Sequence, residues 1–297
     1  MKKMKHMCVA VLAVSVWGLA ACTQHEEMPP AWSGQTINLS FSLGDVQTRV
    51  DALGEGGAWE AGDKIRVEAS TTSRTTSASL VYDAESGSWS HHDELRWLDD
   101  DMHTLTAMYP AAQTMSRYDQ VTDQRTWSDL KSADIITGFW YGAPRTENLS
   151  IPMKHRMTRI TIEYHMGTAD YPYSSIDELQ IYVPHSVAIF DVDYGKSDMV
   201  LTPNDSPVWV KAYNQNNGQF SAIIIPCSYN EGDTFLKFSL IAYGDFKVPL
   251  KSAREFKEGG HYTFRLNVGK DRIDLTEISV DEQFPGTGWN DEVELNG

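Results

Sequence analysis

Apolar and polar residues alternate one by one along most of this chain, and this pattern limits what the chain can fold into. The alternation is clearest in residues 262–268, where Tyr, Phe, Leu and Val occupy every second position. A period of two places the apolar side chains on one face of an extended strand. The same period recurs in six further segments, at residues 37–43, 65–69, 105–109, 160–166, 179–183 and 246–250. Because these segments are short and separated by turns rich in Gly, Asn, Asp and Ser, they predict an all-β protein of antiparallel β-sandwiches.

The length of the chain favours two such sandwiches. Its 297 residues are enough for two hydrophobic cores of ordinary size. The alternation is interrupted at residues 141–148, where glycine and proline follow each other closely. We therefore expect an N-terminal sandwich domain over residues 36–147 and a C-terminal one over residues 148–297.

The first residues have the pattern of an export signal that ends at a cysteine. Three lysines precede an apolar run over residues 7–21, which is too short to remain as a transmembrane helix. The run ends in Leu19-Ala20-Ala21-Cys22, which matches a bacterial lipobox. The sequence thus predicts a lipoprotein signal peptide over residues 1–21, with acylation of Cys22, for example by palmitate, as the membrane anchor. The alternative is an ordinary signal peptide with an incidental cysteine.

The residues after Cys22 are polar and proline-rich, so we expect a tether over residues 22–35. Removal of residues 1–21 takes away three lysines and no acidic residue, which moves the formal net charge from −16 to −19. So acidic a chain would be repelled by nucleic acid and by anionic lipid headgroups. Cys227 would be left without a partner for an intramolecular disulfide.

Residues with catalytic or metal-binding chemistry are scattered. His91 and His92 adjoin two acidic residues, but neighbouring side chains on a strand point to opposite faces and make a poor metal site. The acidic run at residues 99–101 lacks the alternating ligands and the glycine of a calcium loop. His103, His155 and His165 have no carboxylate at a fixed offset. We predict no enzymatic activity, no cofactor and no metal.

Tryptophan content suggests a competing function. Widely spaced tryptophans at positions 59, 89, 97, 127, 140, 209 and 289 could stack on sugars or pack in the cores. Core or rim packing is the more frequent role of tryptophan in sandwiches.

Several short motifs, in their order along the chain, resemble the fimbrillin family of FimA-like and Mfa-like proteins. These motifs are WEAGDKIRV at residues 59–67, LTAMYP at 105–110, SADII at 132–136, MKHRMTRI at 153–160 and GGHYTF at 259–264. The resemblance implies two transthyretin-like sandwich domains in tandem. It also implies a lipoprotein of the outer membrane that polymerises with other fimbrial subunits into a type V pilus and supports cell adhesion.

In such pilins an Arg-specific protease removes the first strand, and a strand from a neighbouring subunit fills the groove. On this resemblance, the cut would fall between Arg49 and Val50, and the displaced strand would contain Ile37, Leu39, Phe41 and Leu43. The donor would come from the C-terminal tail. There, Ile273 and Leu275 alternate out of phase with Ile278 and Val280, so we expect a bulge near residue 277.

Two alternatives remain open. Arg49 could be an ordinary loop residue, so that the first strand stays in place. If the tail folds back into its own domain, the protein would be an anchor, a tip or a non-polymerising surface lipoprotein that binds a glycan or a host protein.

Overall fold

A computed structural model of the protein describes residues 31–43, 59–90, 95–167, 171, 175–204, 206–240, 243–269 and 273–281. Residues 278–281 are described by their backbone alone. Strands dominate these residues, and one short helix accompanies them. The first eight strands and the helix are β1 (Leu39–Leu43), β2 (Lys64–Ser70), β3 (Thr75–Asp83), β4 (Ser88–Ser90), β5 (His103–Tyr109), β6 (Arg117–Asp119), α1 (Trp127–Ser132), β7 (Ile136–Gly142) and β8 (Leu149–His155).

The remaining strands are β9 (Thr158–Met166), β10 (Ile176–Val183), β11 (Val187–Asp193), β12 (Asp198–Asn204), β13 (Val208–Lys211), β14 (Tyr213–Asn214), β15 (Gln219–Ile224), β16 (Cys227–Tyr229), β17 (Thr234–Leu240), β18 (Gly244–Pro249), β19 (Arg254–Phe256), β20 (His261–Val268) and β21 (Ile273–Asp281). The prediction of an all-β fold is confirmed. The clearest alternating segment, residues 262–268, falls on β20. The six further segments fall on β1, β2, β5, β9, β10 and β18.

A seven-stranded sheet forms the first part of the protein, in the order β1-β8-β7-β5-β2-β3-β4. The inner faces of these strands enclose a core of aliphatic side chains and the tryptophans Trp59, Trp89 and Trp97. Phe41 of β1 and Trp89 of β4 come from opposite edges of the sheet, yet their ring centroids are 5.0 Å apart. The sheet therefore curls until its two edges face each other.

Two further sheets form a sandwich in the second part. The five-stranded sheet has the order β14-β15-β9-β20-β21, and the four-stranded sheet has the order β13-β10-β17-β18. Both contribute to one hydrophobic core, which includes Ile162, Leu179, Phe220, Phe238 and Leu266. Burial of apolar side chains from two facing sheets is what stabilises such an arrangement.

A three-stranded sheet, β12-β11-β6, connects these parts. Strand β6 precedes residue 147, whereas β11 and β12 follow it. Strand β8 also follows that position, yet it pairs with β1 and β7 of the first sheet. The division into domains at residues 147 and 148 stays a prediction, and the described residues from Trp32 onward group into one compact unit.

Most neighbouring strands run antiparallel, but two pairs are parallel. Strand β1 pairs in parallel with β8, and β9 pairs in parallel with β20. A period of two indicates a strand and its buried face but contains no information about the direction of its partner. These two pairs therefore depart from the antiparallel pairing that the sequence led us to expect.

Candidate assembly groove

Strand β1 lies at one edge of the seven-stranded sheet, where it pairs with β8. Its register places Leu39 beside Leu149, Phe41 beside Ile151 and Leu43 beside Met153. The side chains of Leu39, Phe41 and Leu43 are only 4–5% exposed, and Ile37 is fully buried just before the strand. The alternation of apolar residues with serine and asparagine explains why one face is buried while the other is not. We call the cleft that β1 fills the assembly groove.

The floor of the assembly groove is aromatic. Beyond its contact with Phe41, the ring of Trp89 lies 5.1 Å from that of Trp59 and 5.2 Å from that of Tyr82. Trp59 in turn contacts Tyr109, with ring centroids 5.6 Å apart. Edge-to-face packing of this kind stabilises a core beyond the area that it buries. Phe41 is therefore the side chain that joins β1 to the centre of the core.

A glycine makes room for the strand that borders the groove. A Cβ atom on Gly138 of β7 would lie 2.5 Å from Sδ of Met153 and 2.6 Å from Cγ2 of Ile151. Both of those side chains belong to β8 and lie opposite β1. The absence of a side chain at Gly138 thus allows β8 to present Ile151 and Met153 to the groove.

The segment before β1 is held by a second, antiparallel set of hydrogen bonds. The amide of Ile37 donates to the carbonyl of Leu95 at 3.1 Å, and the amide of Trp97 donates to the carbonyl of Gln35 at 2.9 Å. The amide of Trp32 donates to a carboxylate oxygen of Asp100 at 2.7 Å. Hydrogen bonding thus already involves Trp32, which is one of the last residues of the predicted tether.

The residues that the sequence assigns to processing cannot be placed next to this groove. Cys22, Arg49 and Val50 lie outside the described residues, and their assigned roles stay predictions. Ile37, Leu39, Phe41 and Leu43 are described and buried as given above, and their displacement likewise stays a prediction. Among the described residues, no helix is long and apolar enough to cross a membrane.

Part of the C-terminal tail is docked on its own sheet. Strand β21 pairs antiparallel with β20 along its whole length. The register shifts so that Thr263 faces Ser279 while Phe264 faces Glu277, which leaves Ile278 as an extra residue. The bulge expected near residue 277 is thus present. Residues 282–297, including Trp289, lie outside the described part of the chain.

Two of the histidines that drew attention in the sequence are buried and have structural partners, whereas His165 is exposed on β9. His103 is buried, and its Nε2 accepts a hydrogen bond from the amide of Leu98 at 2.9 Å. Nδ1 of His155 lies 2.9 Å from a carboxylate oxygen of the equally buried Asp134. His91 and His92 lie outside the described residues. In the residues that the structure covers, no group of three His, Cys, Asp or Glu side chains could hold a metal ion.

Three of the tryptophans that could have stacked on sugars pack in the core instead. Trp59, Trp89 and Trp97 are at most 9% exposed. Trp127, Trp140 and Trp209 are half-buried, and Trp140 and Trp209 each have a cation over the ring at 5.1 Å. The three core tryptophans therefore offer no stacking surface to a sugar.

Two buried glutamines, which the sequence analysis did not single out, tie the first part of the chain to β15. Oε1 of Gln124 accepts from the amide of Ile223 at 2.8 Å, and its Nε2 donates to the carbonyl of the same residue at 2.6 Å. Gln120 repeats the arrangement, since it accepts from the amide of Ile225 and donates to the carbonyl of Ile223. The glutamines thus act as a short substitute strand at the end of β15. A single glutamine in an irregular segment gives no signal of this in the sequence.

A buried arginine lies in the short connection between β8 of the seven-stranded sheet and β9 of the second sandwich. Arg156 is 3% exposed and forms ion pairs with Asp198 and Glu258, while its Nε donates to the Thr137 hydroxyl at 2.6 Å. Burial would raise the pKa of Asp198, but the hydrogen bond from Lys154 and the charge of Arg156 hold it below its usual value. The motif around residue 155 contributed to the family resemblance, but its role as a junction was visible only in the structure.

The fold and the groove together define an all-β protein whose first strand covers the core from one edge of a curled sheet. Comparison with known proteins agrees with this class. The Fimbrillin-like family matches residues 48–282, which is more than half of the chain. The chain therefore belongs to the fimbrillin-like family, and the resemblance inferred from its motifs is confirmed.

Solved structures with a similar fold come from Bacteroides species. A proposed cell adhesion protein from Bacteroides uniformis is 16% identical, covers 79% of this chain and 94% of its own, and has a TM-score of 0.58. A proposed cell adhesion protein from Bacteroides ovatus is 15% identical, covers 84% of this chain and 98% of its own, and has the same TM-score. At these identities the likeness concerns the fold. No curated protein matches the chain in sequence.

Proposed function

We propose that this protein is a structural subunit of a cell-surface fimbrium, a type V pilus, that is exported as a lipoprotein and assembled by strand exchange. The observation that supports this most is β1, a buried strand at a sheet edge that has a strand neighbour on one side only among the described residues. Edge strands present unpaired backbone groups and are the usual places where another chain adds a strand.

Removal of β1 would create a strong driving force for assembly. Its loss exposes the partners of Ile37, Leu39, Phe41 and Leu43, which are all buried. Burial of each such side chain is worth about 1.5 to 3 kcal/mol, so a replacement strand could recover roughly 6 to 12 kcal/mol. The carbonyl and amide groups along β8 would gain hydrogen-bond partners at the same time.

The direction of β1 also favours replacement. It runs parallel to β8, and parallel pairs are slightly less stable per residue than antiparallel ones. An incoming strand from another subunit is free to run antiparallel to β8. The groove could therefore hold such a strand more tightly than it holds the strand that the chain supplies itself.

The position of β1 in the sequence fits an ordered maturation. It lies between Cys22, the proposed lipid attachment site, and Arg49, the proposed cleavage site. A cut after Arg49 would leave β1 attached to the rest of the molecule only by noncovalent contacts. Release of β1 would then separate the molecule from its outer-membrane anchor. The family match begins at residue 48, after β1. In this proposal the partners are other fimbrial subunits, and the protein is not an enzyme.

Cleavage of the purified full-length protein with an Arg-specific endoprotease at low dose tests this proposal. We expect a first cut after Arg49, followed by a ladder of oligomers on size-exclusion chromatography and on non-denaturing gels. An added peptide with the sequence of residues 36–46 should compete for the groove and shorten the ladder.

Arg49→Lys provides a matched control, because it keeps the positive charge but removes the arginine side chain that the protease recognises. This variant should remain uncut and monomeric under the same conditions. If the wild-type protein is cut after Arg49, stays monomeric and does not bind the added peptide, assembly by strand exchange is wrong for this protein.

A second function is favoured by the position of β21. Because this part of the tail pairs with β20 of its own sheet, residues 273–281 are not free to act as a donor. A subunit that accepts a strand but donates none would end a fibre as an anchor or a tip. The same docking fits a surface lipoprotein that does not polymerise and that binds a glycan or a host protein. A cut protein that accepts the peptide but forms no ladder would support this second function.

A further inference from the structure

A cavity of about 480 Å3 lies between the seven-stranded sheet and the hairpin formed by β11 and β12. This volume lies within the range of about 300 to 1,000 Å3 that is typical of small-molecule sites. Polar side chains line it on the sheet side, and Phe190, Val192 and Tyr194 line it on the hairpin side. We call it the hairpin cleft. It lies on the face of the sheet that is turned away from the assembly groove.

The strand register explains why this face is polar. Glu68 of β2 lies opposite Thr106 of β5, and Ser70 lies opposite Thr104. Thr104 in turn lies opposite Tyr141 of β7. Directly paired residues project from the same face of a sheet, so these side chains form one patch. The intervening residues of β2 and β5 are apolar and belong to the core on the other face.

A buried hydrogen-bond donor in this cleft lacks a partner. Nε of Arg66 is buried and has no hydrogen-bond partner among the described residues. A terminal nitrogen of the same guanidinium makes a long contact of 3.4 Å with the Ser77 hydroxyl. In the described part of the chain, neither Arg66 nor Glu68 forms an ion pair. Because Arg66 lines the cleft and a terminal nitrogen makes only this long contact, its terminal nitrogens can donate to an acceptor group on a ligand.

Two exposed tyrosines stand at the rim of the hairpin cleft. Tyr194, at the tip of the hairpin, is 61% exposed, and Tyr141 of β7 is 51% exposed. Their ring centroids are 5.9 Å apart at an angle of 79°. The Thr104 hydroxyl donates to the hydroxyl of Tyr194 at 3.4 Å, which holds the hairpin tip over the sheet. Large exposed aromatic side chains that are grouped in this way are typical of binding surfaces.

We propose that the hairpin cleft is a binding site for a neutral saccharide of one or two rings. Sugar rings have C–H faces, which pack against tyrosine rings. They also have hydroxyl groups, which both donate and accept hydrogen bonds. Arg66 supplies donors, Glu68 supplies acceptors, and the threonine hydroxyls supply both. The charges of Arg66 and Glu68 cancel, which favours a neutral sugar over an acidic one. Binding does not require removal of β1, because β1 covers the opposite face of the sheet.

A printed array of neutral and acidic mono- and disaccharides, followed by calorimetric titration of the best hits into the full-length protein, tests the proposal. We expect at least one neutral sugar to bind. Tyr194→Ala should weaken its binding at least tenfold, because the aromatic platform is lost. Glu68→Gln keeps the shape of the side chain but loses the charge, and it should also weaken binding several-fold.

Tyr243→Ala is the matched control. Tyr243 is 50% exposed and has an aromatic neighbour, Tyr171, at 4.8 Å, but it lies between β17 and β18 and does not line the cleft. This variant should bind the sugar as the wild type does, and all three variants should melt at the wild-type temperature. The proposal is overturned if no neutral sugar binds, if only acidic sugars bind, or if Tyr194→Ala and Glu68→Gln both leave the affinity unchanged. Binding to this cleft of a peptide with the sequence of residues 36–46, with no sugar bound, would also overturn it.

Discussion

At the scale of single residues, the junction between the two parts of the protein depends on buried polar side chains. Arg156 has two carboxylate partners and a hydroxyl partner while being almost fully removed from water. Gln120 and Gln124 satisfy the backbone of Ile223 and Ile225. Buried polar groups of this kind are strongly destabilising when one partner is removed.

Arg156→Ala tests this dependence. The change leaves Asp198 and Glu258 without their shared cation, and we expect a loss of about 3 kcal/mol in the free energy of unfolding. Urea denaturation followed by tryptophan fluorescence measures it. Arg125→Ala is the control, because its ion pair with Asp123 is exposed and should contribute little. Equal effects of the two substitutions would contradict the role given to Arg156.

We expect His261 to make the free energy of unfolding depend on pH. Burial, together with the charge of Arg159, lowers the pKa of His261 to about 3, whereas the unfolded chain has a value of about 6.5. Below pH 6.5 the unfolded state therefore binds a proton that the native state does not. Stability should fall as the pH is lowered, by about 2 kcal/mol between pH 7 and pH 5.

Urea titrations at a series of pH values measure this slope. In His261→Gln the slope between pH 7 and pH 5 should be much smaller, because no group at that position gains a proton on unfolding. His165→Gln, at an exposed position of β9, should keep the wild-type slope. A slope that is unchanged in His261→Gln would show that another group is responsible.

At the scale of secondary structure, the sequence predicted the strands well and their partners poorly. Alternation identified β1, β9 and β20 and the face that each buries, because burial of one face is a local property. The parallel pairing of β1 with β8 and of β9 with β20 depends on residues far apart in the chain. The phase change between Leu275 and Ile278 did predict the bulge in β21, because an extra residue is needed to keep one face buried.

The candidate sites show the same limit. The apolar positions of β1 could be found from the sequence because they repeat every second residue. The hairpin cleft could not be found, because it brings together β2, β5 and β11, which are separated by long stretches of chain. Arg66 and Glu68 look like ordinary solvent-facing strand residues until the hairpin that covers them is known.

Phe41→Ala tests how firmly β1 is held. The truncation removes the contact with Trp89 and should cost about 3 kcal/mol in the free energy of unfolding. Hydrogen exchange of the β8 amides should become faster, because β1 detaches more often. Ser42→Ala, on the other face of the same strand, should change stability by less than about 0.5 kcal/mol. Unchanged exchange in β8 for Phe41→Ala would mean that β1 is not the cover of the groove.

At the scale of the whole molecule, the proposed anchor and the proposed cut act on the same short segment. If Cys22 is acylated, the uncut protein should sediment with membranes, and Cys22→Ser should shift it to the soluble fraction and abolish incorporation of labelled palmitate. Cys227 is the matched control, because it is buried, and burial raises the pKa of its thiol to about 12. Cys227→Ser should therefore leave the label and the membrane fraction unchanged. Labelling that persists in Cys22→Ser would contradict a lipid at this position.

The short connection between β8 and β9 determines how the proposed fibre would carry tension. Only Arg156 and Met157 separate the two strands, so the strand that borders the assembly groove continues almost directly into the middle of the second sandwich. Tension from a neighbouring subunit bound along β8 would enter the covalent backbone at once and spread into β15 and β20 on either side of β9. A molecule connected in this way could be stretched without its two halves being peeled apart.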